Sequence, residues 1–199
     1  MTRRVSFVRS ASIVAALMAL ASVARAQAPS DFAAEPDKSM ANAHESFVKG
    51  DMNKASEHIQ KAAAYVKKEA NKVATGAKDG VLKAGDQLNK LGADVKKGTV
   101  KSGDQLKKTF AQVDHSLAKA WHATAEQTQK SGKDATAALK KTGEGLEGAA
   151  KWSGNKLQEG TQASVDGLKK AGKVTGDEVG KMFKGLGDGI ADLGQKISS

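Results

Sequence analysis

Four histidines are the residues of this chain whose chemistry first suggests a site. His44 and His58 flank a predicted turn at similar distances, while His115 and His122 lie two helical turns apart on one face, beside Trp121. Two such pairs converging in a helical bundle could bind Zn²⁺, Cu²⁺ or haem. The HExxH and ExxH spacings of helical metal sites are absent. We therefore interpret these residues as surface or interface histidines and predict no strong metal site and no cofactor.

Other patterns that support catalysis are missing from the sequence. There is no cysteine to serve as a nucleophile, and no Ser/His/Asp arrangement or phosphate-binding loop is suggested. Gly143, Gly145 and Gly148 match a dinucleotide-binding motif by their spacing, but no predicted strand precedes them. We therefore predict that the protein is not an enzyme.

The first 26 residues have the organisation of a secretory signal peptide. Three arginines within the first nine residues form a basic segment, residues 11–23 are apolar, and Ala24-Arg25-Ala26 is an A-x-A cleavage site. The apolar run is shorter than the ~20 residues that a membrane-spanning helix needs. The sequence therefore predicts cleavage after Ala26 and a mature protein that is periplasmic or secreted.

Export changes the charge balance. All four arginines, at positions 3, 4, 9 and 25, lie in the predicted signal peptide, so 28 of the 32 basic residues remain, all of them lysines, against 22 acidic residues. The formal charge falls from +10 to +6. Without arginine, and with few aromatic residues, the mature chain lacks the usual means of nucleic-acid recognition. We predict no nucleic-acid partner; the mild basicity suits an anionic membrane surface, an envelope polyanion or plain solubility.

Helical signals dominate the chain after its first prolines. Pro29 and Pro36 indicate a linker over residues 27–38. Residues 39–70 predict a helical hairpin, in which Gly50 lies in the turn and Asp51 caps the second helix.

Residues 71–130 continue as amphipathic helices, with a break or bend near residues 98–103 and another interruption at 131–134. Alternating runs of β-branched residues are absent. The predicted fold class is all-α, with the hairpin followed by long, interrupted amphipathic helices in a loosely packed bundle or a partly extended arrangement.

The final segment, residues 131–199, carries an eleven-residue repeat. Eleven residues complete three helical turns, so each row of the repeat stays on one helix face. The main apolar row, which we predict to be an interaction face, consists of Leu146, Leu157, Leu168, Val179 and Ile190. Thirteen glycines lie between Leu139 and Ser199, and each weakens a helix by about 1 kcal/mol relative to alanine. The sequence therefore predicts a helix that needs a surface: another helix of this chain, a second chain or a membrane.

These repeats resemble two families of helical proteins. Eleven-residue amphipathic repeats rich in Lys, Ala, Gly and Thr, over residues 76–199, are similar to late-embryogenesis-abundant repeats and to the helical repeats of exchangeable apolipoproteins. The resemblance implies helices that lie on lipid surfaces or become ordered on drying. A shorter run from Phe47 to Ala62 resembles part of one tetratricopeptide repeat, but only one partial copy is present, so we favour a plain hairpin.

The function expected from the sequence is a structural or interaction role. We predict an exported, non-enzymatic helical protein of the cell envelope that is protective or associated with a membrane surface, and that associates with itself or with a partner helix. The alternative is a periplasmic helical module that binds a metal, haem or lipid.

Overall fold

The computed structural model describes residues 31–199, which form seven α-helices. They are α1 (Asp31–Val48), α2 (Met52–Glu69), α3 (Lys78–Lys96), α4 (Gly103–Lys130), α5 (Thr136–Ser153), α6 (Glu159–Lys170) and α7 (Asp177–Ser198), with a 3-10 turn at Thr75–Ala77 before α3. No strand occurs within residues 31–199. The predicted all-α fold class is confirmed.

The hairpin formed by α1 and α2 follows local sequence signals. Gly50 closes the turn with a φ of +80°, a conformation that glycine adopts without steric penalty. The Asp51 carboxylate accepts a hydrogen bond from the Lys54 backbone N–H at 3.1 Å, as expected of an N-cap.

The predicted linker is wrong over residues 31–38, because α1 begins at Asp31 and continues through Pro36. Pro36 is the sixth residue of this helix, so its missing N–H removes a backbone hydrogen bond that the helix would otherwise make. Pro36 is buried, as are Met40 and Ala43 further along the helix. Burial of this face explains why the helix extends past a residue that local propensity marks as a boundary.

The long helix α4 is the centre of the fold. It packs against α1, α3, α5 and α7, and its contact with α5 is extensive. The apolar residues that recur at helical spacing along α4 are all buried: Leu106, Phe110, Val113, Leu117, Trp121 and Ala125. The interruptions before and after α4 fall where the sequence predicted them, at residues 97–102 and 131–135.

The segment predicted as one long amphipathic helix, residues 131–199, forms three helices instead. The α5 helix ends at Gly154, whose φ of +71° lies in the left-handed region, and residues 155–158 are not helical. A second break precedes α7 at Gly176, where φ is +62°. Gly154 and Gly176 allow the chain to change direction here, so that α5 and α7 pack on α4 while α6 packs on α5 and α7.

All seven helices contribute to or pack against one hydrophobic core, and this excludes a partly extended arrangement of residues 31–199. Among the described residues, Val48 is the one large apolar side chain that is exposed, at 69 %. None of the helices in this part of the chain combines the length and apolarity needed to cross a membrane.

Candidate functional site

A cleft of about 450 Å³ lies where the start of α4 meets the ends of α5 and α7. Four lysines from the three helices line it: Lys107 and Lys108 from α4, Lys151 from α5 and Lys196 from α7. Asp104 is the one acidic side chain in its lining. We call this feature the lysine cleft. Its volume falls in the range of small-molecule sites, and its excess of positive charge suits an anion.

Two of the four ammonium groups are already paired. Lys107 Nζ lies 3.7 Å from Asp104 Oδ1, and Lys196 Nζ lies 2.7 Å from Asp192 Oδ2. Lys108 and Lys151 have no carboxylate within ion-pair distance among the described residues; the Lys151 ammonium instead lies 4.7 Å from the centre of the Trp152 ring. These two lysines are therefore the cations most available to an incoming anion.

Trp152 lines the lysine cleft, and contacts with neighbouring side chains hold its indole ring in place. Its indole Nε1 donates a hydrogen bond to Asp37 Oδ1 at 3.3 Å, and its ring meets Phe110 edge-on, with 5.1 Å between ring centres. His44 packs against another side, 6.1 Å away. Three helices thus hold the indole in place, with α1 supplying both Asp37 and His44.

Two titratable groups that contact Trp152, Asp37 and His44, have altered pKa values. Burial raises the pKa of the Asp37 carboxyl, against the opposing effects of the Lys151 charge and the Trp152 hydrogen bond. Burial, followed by repulsion from Lys107, lowers the pKa of His44.

Asp114, on α4, lies deeper in the same region. Burial and then the nearby Asp37 carboxyl raise the pKa of Asp114 well above its usual value, and its Oδ2 atom has no hydrogen-bond partner. The side chain occupies the space that Gly148 of α5 leaves by having no Cβ. The carboxyl is therefore favoured in its protonated form and contributes packing more than charge.

A second cluster of charged residues lies at the opposite end of α5, where Lys141 and Glu144 border a cleft of about 440 Å³. Lys141 Nζ lies 3.5 Å from Glu69 Oε2 and 4.1 Å from the centre of the Trp121 ring, and Glu69 also pairs with Lys72 at 2.7 Å. Burial lowers the pKa of Lys141, although Glu69 opposes this effect. Because Glu69 and Lys141 are both buried and in contact, we interpret the cluster as an ion pair that joins α2 to α5.

The four histidines predicted as low-probability metal ligands occupy separate places. His44 packs on Trp152, and His58 lies beside the α1–α2 turn near Glu45 and Asp51. His115 and His122 both contact the backbone of α7, at the carbonyl oxygens of Ile190 and Phe183. Within the described residues, no group of three or more histidine or acidic side chains is arranged to hold a metal ion.

The predicted interaction face does not exist as one continuous row. Leu146 of α5 and Leu168 of α6 are fully buried, whereas Leu157 lies in the connection between these helices and is partly buried. Val179 and Ile190 lie on α7 and are also partly buried against the core. The prediction that this segment needs a surface is met from within the chain, because other helices of the same bundle cover these residues.

The residues of the lysine cleft were not singled out from the sequence. Lys107 and Lys196 are separated by 89 positions, and Trp152 stands in the sequence only as one of two tryptophans. In a chain with so many lysines, no local spacing distinguishes the four that converge. Comparisons of this chain with protein-family models, with curated proteins and with solved structures find no match.

Proposed function

We propose that this protein is an exported, non-enzymatic helical protein of the cell envelope that binds phosphate-bearing anions through the lysine cleft. The observation that carries the proposal is the convergence of four lysines from three helices around a fixed tryptophan. The predicted signal peptide and the formal charge of +6 on the mature chain support it, because envelope surfaces present anionic headgroups.

The shape of the cleft favours a small head group over a long apolar chain. Ala111, Ile197 and Trp152 are the apolar side chains of the lining, and the rest is polar or charged. Almost no large apolar side chain of the described residues is exposed. Binding through charge therefore fits this surface better than insertion of an apolar face, in contrast to the apolipoprotein-like repeats that the sequence resembles.

The test is binding of the mature chain to vesicles. Sedimentation with phosphatidylglycerol vesicles should carry the protein down, while phosphatidylcholine vesicles should not, and the difference should shrink as salt is raised. Soluble glycerol phosphate should compete if the head group alone is recognised. Direct binding of glycerol phosphate, measured by calorimetry, without any vesicle binding would identify a free phosphate compound as the ligand.

Matched variants distinguish the cleft from general attraction to lysines. The double variant Lys108→Gln/Lys151→Gln removes two charges in the cleft, and Lys61→Gln/Lys83→Gln removes two exposed charges on α2 and α3. We expect only the first pair to weaken binding strongly. Equal losses in both variants, or no binding of any phosphate compound, would contradict the proposal.

A further inference from the structure

Polar side chains hold α7 against the bundle by contacting its backbone. His115 Nε2 lies 2.8 Å from the Ile190 carbonyl oxygen, and His122 Nε2 lies 3.2 Å from that of Phe183. From α6, the Thr161 hydroxyl donates to the Gly185 carbonyl at 2.9 Å. A carbonyl accepts, so each imidazole must carry a hydrogen on Nε2.

Glycines on α7 make room for the two rings. A Cβ atom at Gly194 would lie 3.0 Å from the His115 ring, and one at Gly187 would lie 3.7 Å from His122 Nε2. The contacts repeat after seven residues on both α4 and α7, so the two imidazoles contact successive parts of α7. His122 holds the first half, and His115 holds the last two turns.

The two imidazoles differ at their other nitrogen. His122 Nδ1 lies 3.4 Å from Glu126 Oε1, so a proton added there would gain an ion pair. His115 has no carboxylate within ion-pair distance in residues 31–199, and the charge that acts on it is the Lys119 ammonium on its own helix.

Nearby acidic groups are directed elsewhere. Asp114, the residue before His115, occupies the space at Gly148 of α5. Asp192 of α7 pairs with Lys196. A proton on His115 therefore meets a cation and no compensating anion.

The direction of the proton effect follows from this difference. Burial, and then Lys119, lower the pKa of His115 below its usual 6.5, although the hydrogen bond to Ile190 opposes the shift. A histidine with a lowered pKa in the folded protein contributes stability that is complete above about pH 6.5 and is lost as the pH falls. The Glu126 carboxylate beside His122 supplies the negative charge that His115 lacks, and His122 contacts the α7 backbone through Nε2.

We propose that acid loosens the last two turns of α7 at His115 while His122 keeps the first half docked. Lys196 and Ile197 belong to these turns and form one wall of the lysine cleft. The consequence for the cleft rests on the proposed function: in acid the cleft loses this wall and binds its anion less tightly. The loosening of α7 itself does not depend on any ligand.

Hydrogen exchange of the full mature chain tests the loosening. Exchange measured by mass spectrometry at about pH 7.5 and about pH 5, and corrected for the intrinsic pH dependence of exchange, covers the range in which histidine titrates. The peptide spanning residues 190–198 should exchange several-fold faster in acid, whereas residues 178–186 should change little. Equal protection of residues 190–198 at the two pH values would overturn the proposal.

Two variants assign the effect to the imidazoles. His115→Gln retains an N–H donor for the Ile190 carbonyl but cannot titrate in this range, so its exchange should be independent of pH. Glu126→Gln removes the partner of His122, so acid loosening should extend to the residues around Phe183. Acid-sensitive exchange that persists in His115→Gln, or an unchanged pattern in Glu126→Gln, would contradict the mechanism.

Vesicle binding then separates this proposal from the function on which it rests. The phosphodiester of phosphatidylglycerol keeps its single charge over this pH range, so a several-fold weaker binding in acid that His115→Gln abolishes would link α7 to the cleft. Binding that is absent at both pH values would reject the proposed function and leave the exchange result intact. Binding that is unaffected while α7 loosens would reject the link alone.

Discussion

The α2–α3 contact and the docking of α7 use different side chains for the same task. α2 and α3 bury β-branched and other aliphatic residues completely, including Ile59 and Val66 from one helix and Val81 and Leu88 from the other. α7 also buries leucines, such as Leu186 and Leu193, but much of its contact lies at glycines. There, Thr161, Ser164, His115 and His122 approach its backbone.

Aliphatic burial and hydrogen bonding at glycines respond differently to pH and to changes in side-chain shape. Apolar burial in the α2–α3 contact is nearly independent of pH and tolerates changes in shape that preserve volume. Contacts through hydrogen bonds at glycines depend on a close approach of the backbone and, at His115, on the protonation state of the imidazole. We therefore expect the two regions to respond to different perturbations.

The largest effect is expected from truncating the aliphatic contact. Leu88→Ala should destabilise the fold by about 2–5 kcal/mol, because Leu88 is fully buried and its loss leaves a cavity. Urea unfolding followed by circular dichroism measures this change. A loss below about 1 kcal/mol would show that α3 contributes far less to the core than its burial indicates.

Adding a methyl group at a close helix contact should have the next largest effect. A Cβ at Gly145 of α5 would lie 3.0 Å from the backbone nitrogen of Ala118 and 3.0 Å from the carbonyl oxygen of Asp114, and neither backbone atom can move independently. Gly145→Ala should cost about 1–3 kcal/mol, despite the better helix propensity of alanine. Unfolding curves would refute the tight α4–α5 approach if the variant were as stable as the parent.

Removing the buried carboxyl on α4 should stabilise the protein. Asp114→Ala should gain on the order of 1–3 kcal/mol at about pH 7, because Asp114 Oδ2 is buried without a partner. The raised pKa means that the folded state disfavours the ionised form, so this gain should shrink as the pH falls towards 3.8. Urea unfolding at about pH 7 and about pH 4 checks both the sign and the trend.

Combining Asp114→Ala with a substitution at Gly148 tests the contact between α4 and α5 directly. Gly148→Ala alone should destabilise, since its Cβ would overlap the Asp114 carboxylate, whereas the double variant with Asp114→Ala should fill the vacated space. A double-mutant cycle should therefore show a favourable coupling between the two sites. Strict additivity would contradict the contact.

The smallest effect is expected at a glycine with open surroundings. Gly180 lies in the first turns of α7, and a Cβ there would meet no atom within 4 Å. Gly180→Ala should stabilise by roughly 0.5–1 kcal/mol through helix propensity alone. Together with Gly145→Ala, it tests whether the glycines of the C-terminal region act through packing or only through chain flexibility; a destabilised Gly180→Ala would reveal a contact that the fold does not show.

Much of the local structure was predictable from local signals. Gly50 and Asp51 identify the first turn and its cap, and the spacing from Leu106 to Ala125 identifies the buried face of α4. These features depend on backbone conformation and on periodicity, which are encoded within a few residues. The predicted signal peptide lies outside the described residues and stays a prediction.

Other features were beyond local inference because they depend on partners distant in the chain. Pro36 argues for a linker until the burial of α1 is known, and a regular eleven-residue spacing argues for one helix until Gly154 and Gly176 reverse the chain. An eleven-residue period favours one continuous apolar stripe, but the three shorter helices distribute its residues over the bundle, where Leu146 and Leu168 are fully buried.

The helical class, the helix faces that must be covered and the absence of arginine after residue 25 could all be inferred from the sequence. The packing of distant helices sets which surface covers each face, which lysines converge near Trp152 and which imidazole has a carboxylate beside it. Periodicity shows which residues must be buried. It does not show against which partner, because the hydrophobic effect is non-directional. The choice of partner rests on steric fit at particular glycines and on electrostatic neighbours, and both arise only when distant helices meet.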